Sequence, residues 1–195
     1  MKGAMKISPR DMVLSLIGYG TAREEEIGRT SLQKVAYFAS VRTGIPLGHR
    51  AFYYGPYSSK VEEETEALVL SGLVNQTVTD LGFVNKKGFP GVRYSYTLTD
   101  TGNQRLETLE DFAPDVLAAI RDTVDRLDDT VGSLDQGLLS LAAKTYFIAD
   151  EQGRELSVAQ IQELAKQKNW VISKTQVEKV ANYLQELGLV NVTEN

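Results

Sequence analysis

The side chains of this sequence with the most evident chemical capacity are a run of carboxylates, Glu62, Glu63, Glu64 and Glu66, and a single histidine, His49. Carboxylates can hold a cation or move protons. Successive residues on a helix fan out by about 100° each, however, so consecutive glutamates cannot converge on one ion. Their simpler role is charge in the first turns of a helix, near the positive end of its dipole. His49 sits in the turn-like stretch GIPLGHR, where an exposed or satisfied loop residue is expected rather than a catalytic base. The chain has no Cys, which removes disulfides, thiolate nucleophiles and Cys-ligated zinc. It also has no G-x-G-x-x-G, P-loop or H-E-x-x-H spacing. The sequence therefore predicts neither an enzyme nor a bound cofactor or metal.

What remains is recognition chemistry. Ser58, Ser59 and Lys60 open the acidic helix, and Lys86 and Lys87 lie at the tip of a hairpin-like stretch. A later helix carries Lys174, Thr175, Gln176, Lys179 and Asn182. Donor-rich residues at the start of a helix suit phosphate and base contacts in the major groove of duplex DNA, where Gln and Asn pair with adenine. Arg23, Arg29, Lys34, Arg42 and Arg50 could add phosphate contacts. Two features oppose a DNA reading. The glutamates that follow Lys60 would meet phosphate charge, and the Lys174–Asn182 set also fits a plain solvated helix face. A second use is then a protein-docking surface built on Glu62, Glu63 and Glu66. The aromatic set Tyr37, Phe38, Phe52, Tyr53, Tyr54 and Tyr57 could stack on single strands. The simpler expectation is core, with alternating members of Phe52–Tyr54 buried.

These residues must be positioned by a chain of 195 residues with 42% hydrophobic and 24% charged content, enough apolar material for a core. Net charge is −5 but unevenly spread: residues 1–60 hold nine Lys/Arg against four Asp/Glu, and residues 61–195 hold twelve against twenty-two. No apolar run approaches the ~20 residues of a membrane span. The start MKGAMKISPRD lacks a signal-like apolar stretch, so a cytoplasmic protein without membrane contact is expected.

Ser8 as N-cap and Pro9 at the first position begin a helix expected to end at Gly18 and Gly20, with Met12, Val13, Leu16 and Ile17 as its stripe. A second helix should open with the capping box Thr30-x-x-Gln33, bury Leu32, Val35, Ala36 and Ala39, and close at Gly44. An extended Ala51–Tyr54 leads to a turn at Gly55-Pro56. Ser58 or Ser59 then caps a third helix stopped near Gly72. Period-2 stretches Leu73–Asp80 and Val92–Thr99 read as a hairpin, followed by a helix capped at Thr99 or Asp100. Three helices and a hairpin are the order of a winged helix-turn-helix domain, here residues 1–112.

Residues 113–150 read as a helical connector. Leu117, Ile120, Val124, Leu127, Val131, Leu134, Leu138 and Leu141 step by threes and fours, a heptad seam that could serve a homodimer or pack within the chain. Gly132-Ser133 and the box Ser133-x-x-Gln136 favour two helices over one. In residues 151–195 Ser157 caps one helix and KTQVEKVANYLQE forms another. Setting Gly188 on Gly72 places Val177 on Val61, Glu178 on Glu62 and Leu184 on Leu68. This reads as a second, truncated winged-helix-like unit. The fold class expected is thus mainly α with small β-hairpins.

Leu32-Gln33-Lys34-Val35-Ala36-Tyr37-Phe38, followed by Phe52-Tyr53-Tyr54-Gly55-Pro56-Tyr57-Ser58, resembles the YwgA-like and SocA (Panacea)-type proteins, with their "LQKLLYFA"-like helix and aromatic-YGPYS step. The resemblance covers roughly residues 25–105, and Val35-Ala36 stands where larger aliphatics are usual. It implies a winged-helix-like fold and a non-enzymatic role such as an antitoxin, or an adaptor that delivers a toxin to proteolysis. Two functions are therefore expected. One is a DNA-binding transcriptional regulator using Ser58, Ser59, Lys60, Lys86, Lys87 and the Lys174–Asn182 helix. The other is a protein-interaction module using Glu62, Glu63, Glu66 or the Leu117, Ile120, Val124 and Leu127 face.

Overall fold

The computed structural model describes residues 7–84, 88, 90–131, 136–187 and 189. The chain is mainly helical with small antiparallel sheets, as its patterning predicts. Helix α1 spans Pro9–Thr21 and starts with a full capping box between Ser8 and Asp11. Met12, Val13, Leu16 and Ile17 are completely buried. Gly18 and Gly20 lie inside α1 instead of ending it. A Cβ on Gly18 would stand 2.5 Å from Leu106 and 2.8 Å from Leu98, so this glycine marks close packing, not a stop.

Strand β1 is the two residues Ile27–Gly28, and α2 follows directly at Arg29–Thr43. The Thr30–Gln33 box does not form, and Gly28 caps α2 without a side chain, because Gln33 is engaged elsewhere. Leu32, Val35, Ala36 and Ala39 are buried, and Gly44 closes the helix at φ +69°. Strands β2 (Arg50–Phe52) and β3 (Gly55–Tyr57) pair as a small hairpin whose turn is Tyr53-Tyr54. Gly55-Pro56 is strand, not turn. Helix α3 (Ser59–Leu70) is capped by Ser58.

Strands β4 (Val74–Val84) and β5 (Pro90–Leu98) form a long hairpin in register from Val74 opposite Leu98 to Asp80 opposite Val92. β1 adds to the far side of β5, giving the order β1-β5-β4. Helix α4 (Asp100–Phe112) is capped by Thr99. The middle of the chain is two helices, α5 (Pro114–Val131) and α6 (Gln136–Gln152). The break at Gly132-Ser133, the Ser133 box and Leu134 lie outside the described residues. Leu117, Ile120, Val124 and Leu127 are at most 1% exposed, packed where α5 meets α1 and α2 of the same chain. This corrects their place as a docking surface: buried apolar side chains of this kind are core, and no partner reaches them without unfolding α5. Helices α7 (Val158–Gln167) and α8 (Lys174–Glu186) end the described chain, each with a capping box at Ser157 and Ser173. One cluster of buried apolar residues runs from Ile7 to Leu184 and draws on all three sequence segments. Among the described residues no helix is long and apolar enough to cross a membrane.

Candidate functional site

The packing of α2 drives Gln33 and Lys34 into the interior beside Leu32, Val35 and Ala36, and both polar side chains are buried. Gln33 forms a two-bond clasp on the backbone of Ser58. Its Nε2 donates to the Ser58 carbonyl (3.0 Å), and its Oε1 accepts from the Ser58 N–H (2.9 Å). Next to it Lys34 Nζ donates to the Pro56 carbonyl at 2.8 Å. The LQK helix and the GPYS strand are thus bound by side chain–backbone bonds across 22 and 25 residues. Ser58 completes the arrangement, donating its hydroxyl to the Leu47 carbonyl and accepting from the Val61 N–H to cap α3. Ser58 is fully buried, which corrects its place among nucleic-acid contacts.

The clasp fixes how α3 leaves the strand. Ser59 and Lys60 are exposed at its start, and Lys60 Nζ pairs with Glu64 Oε1 at 2.9 Å. Glu64 is buried and also held by Arg10 at 2.7 Å, so of the four glutamates it is structural. Burial pushes the Glu64 carboxyl up, but the hydrogen bonds from Lys60 and Arg10, with their charges, together hold it below its ordinary value. Glu63 and Glu66 are exposed, and Glu62 is half-buried, accepting a hydrogen bond from the Tyr57 hydroxyl. Burial and then Glu62 push the Tyr57 phenol up to about 12.

Two clefts meet here. One, of about 310 Å³, is lined by Arg29, Gln33, Lys34, Phe52, Tyr54 and Glu62 among others. The other, of about 390 Å³, lies between α3 and the sheet, against Glu66, Leu70, Gln76, Tyr94 and Tyr96. Arg29 and Glu62 line both, so the clefts form one groove. The Arg29 guanidinium lies 4.5 Å from the Tyr94 ring centre. At the outer end of the groove Phe52, Tyr53 and Tyr54 are 53%, 76% and 70% exposed, contrary to the expectation that alternating members would be buried. The β2–β3 hairpin is held through its backbone instead: the Trp170 indole N–H, from the turn between α7 and α8, donates to the Phe52 carbonyl at 2.7 Å. Trp170→Phe removes that bond and should cost about 1–2 kcal/mol. Hydrogen exchange should rise in residues 50–57 before it rises in α3, which peptide-resolved exchange measures.

The other candidate residues are placed elsewhere. α3 packs on α1 and β4, whereas α8 packs on α6 and α7. On α8 the Gln176 Oε1 accepts from the Ser173 N–H in its capping box, and Lys174 lies 3.6 Å from Glu178. Thr175 and Lys179 are exposed. Asn182 lies on α8, its side chain outside the described set, as are Lys86 and Lys87. Three basic residues of the first sixty positions, Arg10, Arg23 and Arg42, are paired across the fold. Arg23 reaches Asp125, Asp128 and Asp129 on α5, and Arg42 reaches Asp122. The uneven charge along the sequence is therefore partly neutralised in space. Among the described residues no cluster of three or more His, Asp or Glu is placed to hold a metal ion.

His49 is half-buried and only partly satisfied. Its ring meets Tyr37 edge-on at 5.3 Å, and its Nε2 is buried without a hydrogen-bond partner, as is the Tyr37 hydroxyl. Burial holds its pKa down to about 4, against the raising effect of a hydrogen bond to the Gln33 backbone. Because the folded value lies below the ordinary 6.5, the unfolded chain binds the extra proton first. Stability should then fall by up to about 1.4 kcal/mol per pH unit between pH 6.5 and 4. Denaturant titrations across that window check this, and His49→Phe should flatten the slope.

No protein-family model and no curated protein sequence matches this chain.

Proposed function

We propose that the first part of the chain, through α4, is a winged-helix unit of the YwgA-like and SocA (Panacea) type that works as a protein-docking module, in the manner of an antitoxin or adaptor, and not as a reader of duplex DNA. The order α1-β1-α2-α3-β4-β5 with sheet order β1-β5-β4 supports the winged-helix reading. The Gln33–Ser58 clasp supports the resemblance, since it gives the two motif segments a physical reason to occur together.

The observation that carries the functional reading is the lining of the groove between α3 and the sheet. A winged-helix DNA reader needs cations there. Here the groove presents Glu62, Glu66 and several tyrosines, with Arg29 lying on Tyr94. Of the nucleic-acid candidates nearest to it, Ser58 lies inside the core and Lys60 is paired with Glu64, which leaves Ser59 exposed and uncharged. Aromatic walls and two carboxylates suit a protein segment that carries apolar residues and Lys or Arg. Peptide display against the whole chain should select sequences of that composition, and the double variant Glu62→Lys/Glu66→Lys should abolish their binding. Random duplex DNA should show no binding at about 50 mM salt. Micromolar binding that collapses by about 200 mM would replace this reading with the regulator.

A further inference from the structure

The 310 Å³ cleft has a feature that peptide docking on Glu62 and Glu66 does not use: a buried cation lines it. Lys34 is 2% exposed, and its one hydrogen bond among the described residues goes to the Pro56 carbonyl. An ammonium has three donors. Among the described residues no carboxylate acts on it. The charged group that acts on it, Lys144 on α6, is of the same sign. Both lysines crowd Gly55, where a Cβ would stand 3.2 Å from the Lys144 side chain and 3.4 Å from that of Lys34, at a φ of +104°. Holding the Pro56 carbonyl does not require a charge, because Gln33 does the same for Ser58 with a neutral amide. A buried, unpaired ammonium is costly unless something supplies the opposite charge.

The cleft is built to receive that charge. Arg29 lines it as a second cation, at the start of a helix whose N-cap, Gly28, offers no side chain to the free amides. The opposing charge, Glu62, is drawn to the Tyr57 hydroxyl. Phe52, Tyr54 and Tyr57 supply aromatic walls. The volume lies at the lower end of ligand pockets, which run from about 300 to 1,000 Å³. We propose that this cleft is a binding site for a carboxylate carried on an aromatic group, with Lys34 and Arg29 on the carboxylate and Phe52, Tyr54 and Tyr57 around the ring. The depressed basicity of Lys34, to about 8 by burial and then by Lys144, agrees with a site that lacks its counter-ion. An anion beside it should restore that basicity.

The site shares Arg29 and Glu62 with the docking groove but does not require a peptide partner, and it is tested on the full chain with phenylacetate and its neutral isostere phenylacetamide, by calorimetry and by amide shifts of residues 29–34 and 52–57. The acid should bind at least about tenfold more tightly than the amide, the discrimination expected of charge-assisted hydrogen bonds. Lys34→Met should remove that preference. Arg29→Gln, at an exposed position that leaves folding intact, should weaken acid binding several-fold, and Glu62→Gln should strengthen it. A tripeptide ending in Phe, with free or amidated C-terminus, separates the two sources of such a group. Tighter binding of the free-ended peptide than of phenylacetate assigns the site to a chain terminus, and equal or weaker binding to a small acid. Equal binding of acid and amide, no binding of either at millimolar concentration, or full binding by Arg29→Gln and Lys34→Met would overturn the proposal.

Discussion

Gln33→Leu should lower the stability of the chain by about 1–3 kcal/mol, although it replaces one buried side chain by another of similar size. The substitution deletes both bonds of the clasp and leaves the buried N–H of Ser58 without a partner, while the Ser58 carbonyl keeps only the longer bond from the Glu62 N–H at 3.4 Å. An orphaned buried N–H costs about 1–3 kcal/mol, and local relaxation recovers part of it. The damage is not confined to energy. Ser58 caps α3 and stands next to Tyr57, whose hydroxyl holds Glu62, so a displaced Ser58 shifts the groove wall. In urea the midpoint should fall with an unchanged slope, and binding of any peptide selected on the groove should weaken. Gln33→Glu keeps the acceptor for the Ser58 N–H and should lose less than Gln33→Leu. A loss below about 1 kcal/mol for Gln33→Leu would mean that water or another group takes over the Ser58 backbone, and the clasp would not be what positions α3.

The clasp also marks where sequence reading stops. Signals that act within a turn of helix were legible. Ser8, Thr99 and Ser157 cap the helices they precede, and the stripe Met12, Val13, Leu16 and Ile17 is buried as spaced. Gln33 was legible only as a local cap, because Thr30-x-x-Gln33 fits that pattern and its true partner is 25 residues away. Gly55-Pro56 carries turn residues, yet the turn itself falls at Tyr53-Tyr54, and Gly55 opens β3 at φ +104° against the side chains of Lys34 and Lys144. Phe52–Tyr54 was expected to bury alternating residues. What secures it is a backbone carbonyl bonded by Trp170, a contact across 118 residues that no period in the sequence reports. The same holds for charge: Arg23 and the α5 aspartates look like separate basic and acidic regions until folding sets them face to face.

Ile120→Ala decides whether the heptad seam belongs to the core or to a second copy. Ile120 has no exposure and lies on the face of α5 that packs on α1 and α2. Truncating such a side chain costs about 2–5 kcal/mol, the spread reflecting how far the cavity collapses. On the opposite face Asp125 only pairs with Arg23, so Asp125→Ala should cost less than about 1 kcal/mol. The informative readout is concentration. If the seam closed a dimer, the midpoint of thermal unfolding would rise with protein concentration, and Ile120→Ala would steepen or abolish that dependence. With the seam inside one chain, the full loss should appear at every concentration, and wild-type and variant should elute at the same size. The two outcomes also bear on the groove. A seam committed to α1 and α2 holds the floor beneath α2, from which Gln33 and Lys34 reach the GPYS strand. Ile120→Ala should then loosen the clasp at a distance, and phenylacetate binding should fall with stability rather than survive it.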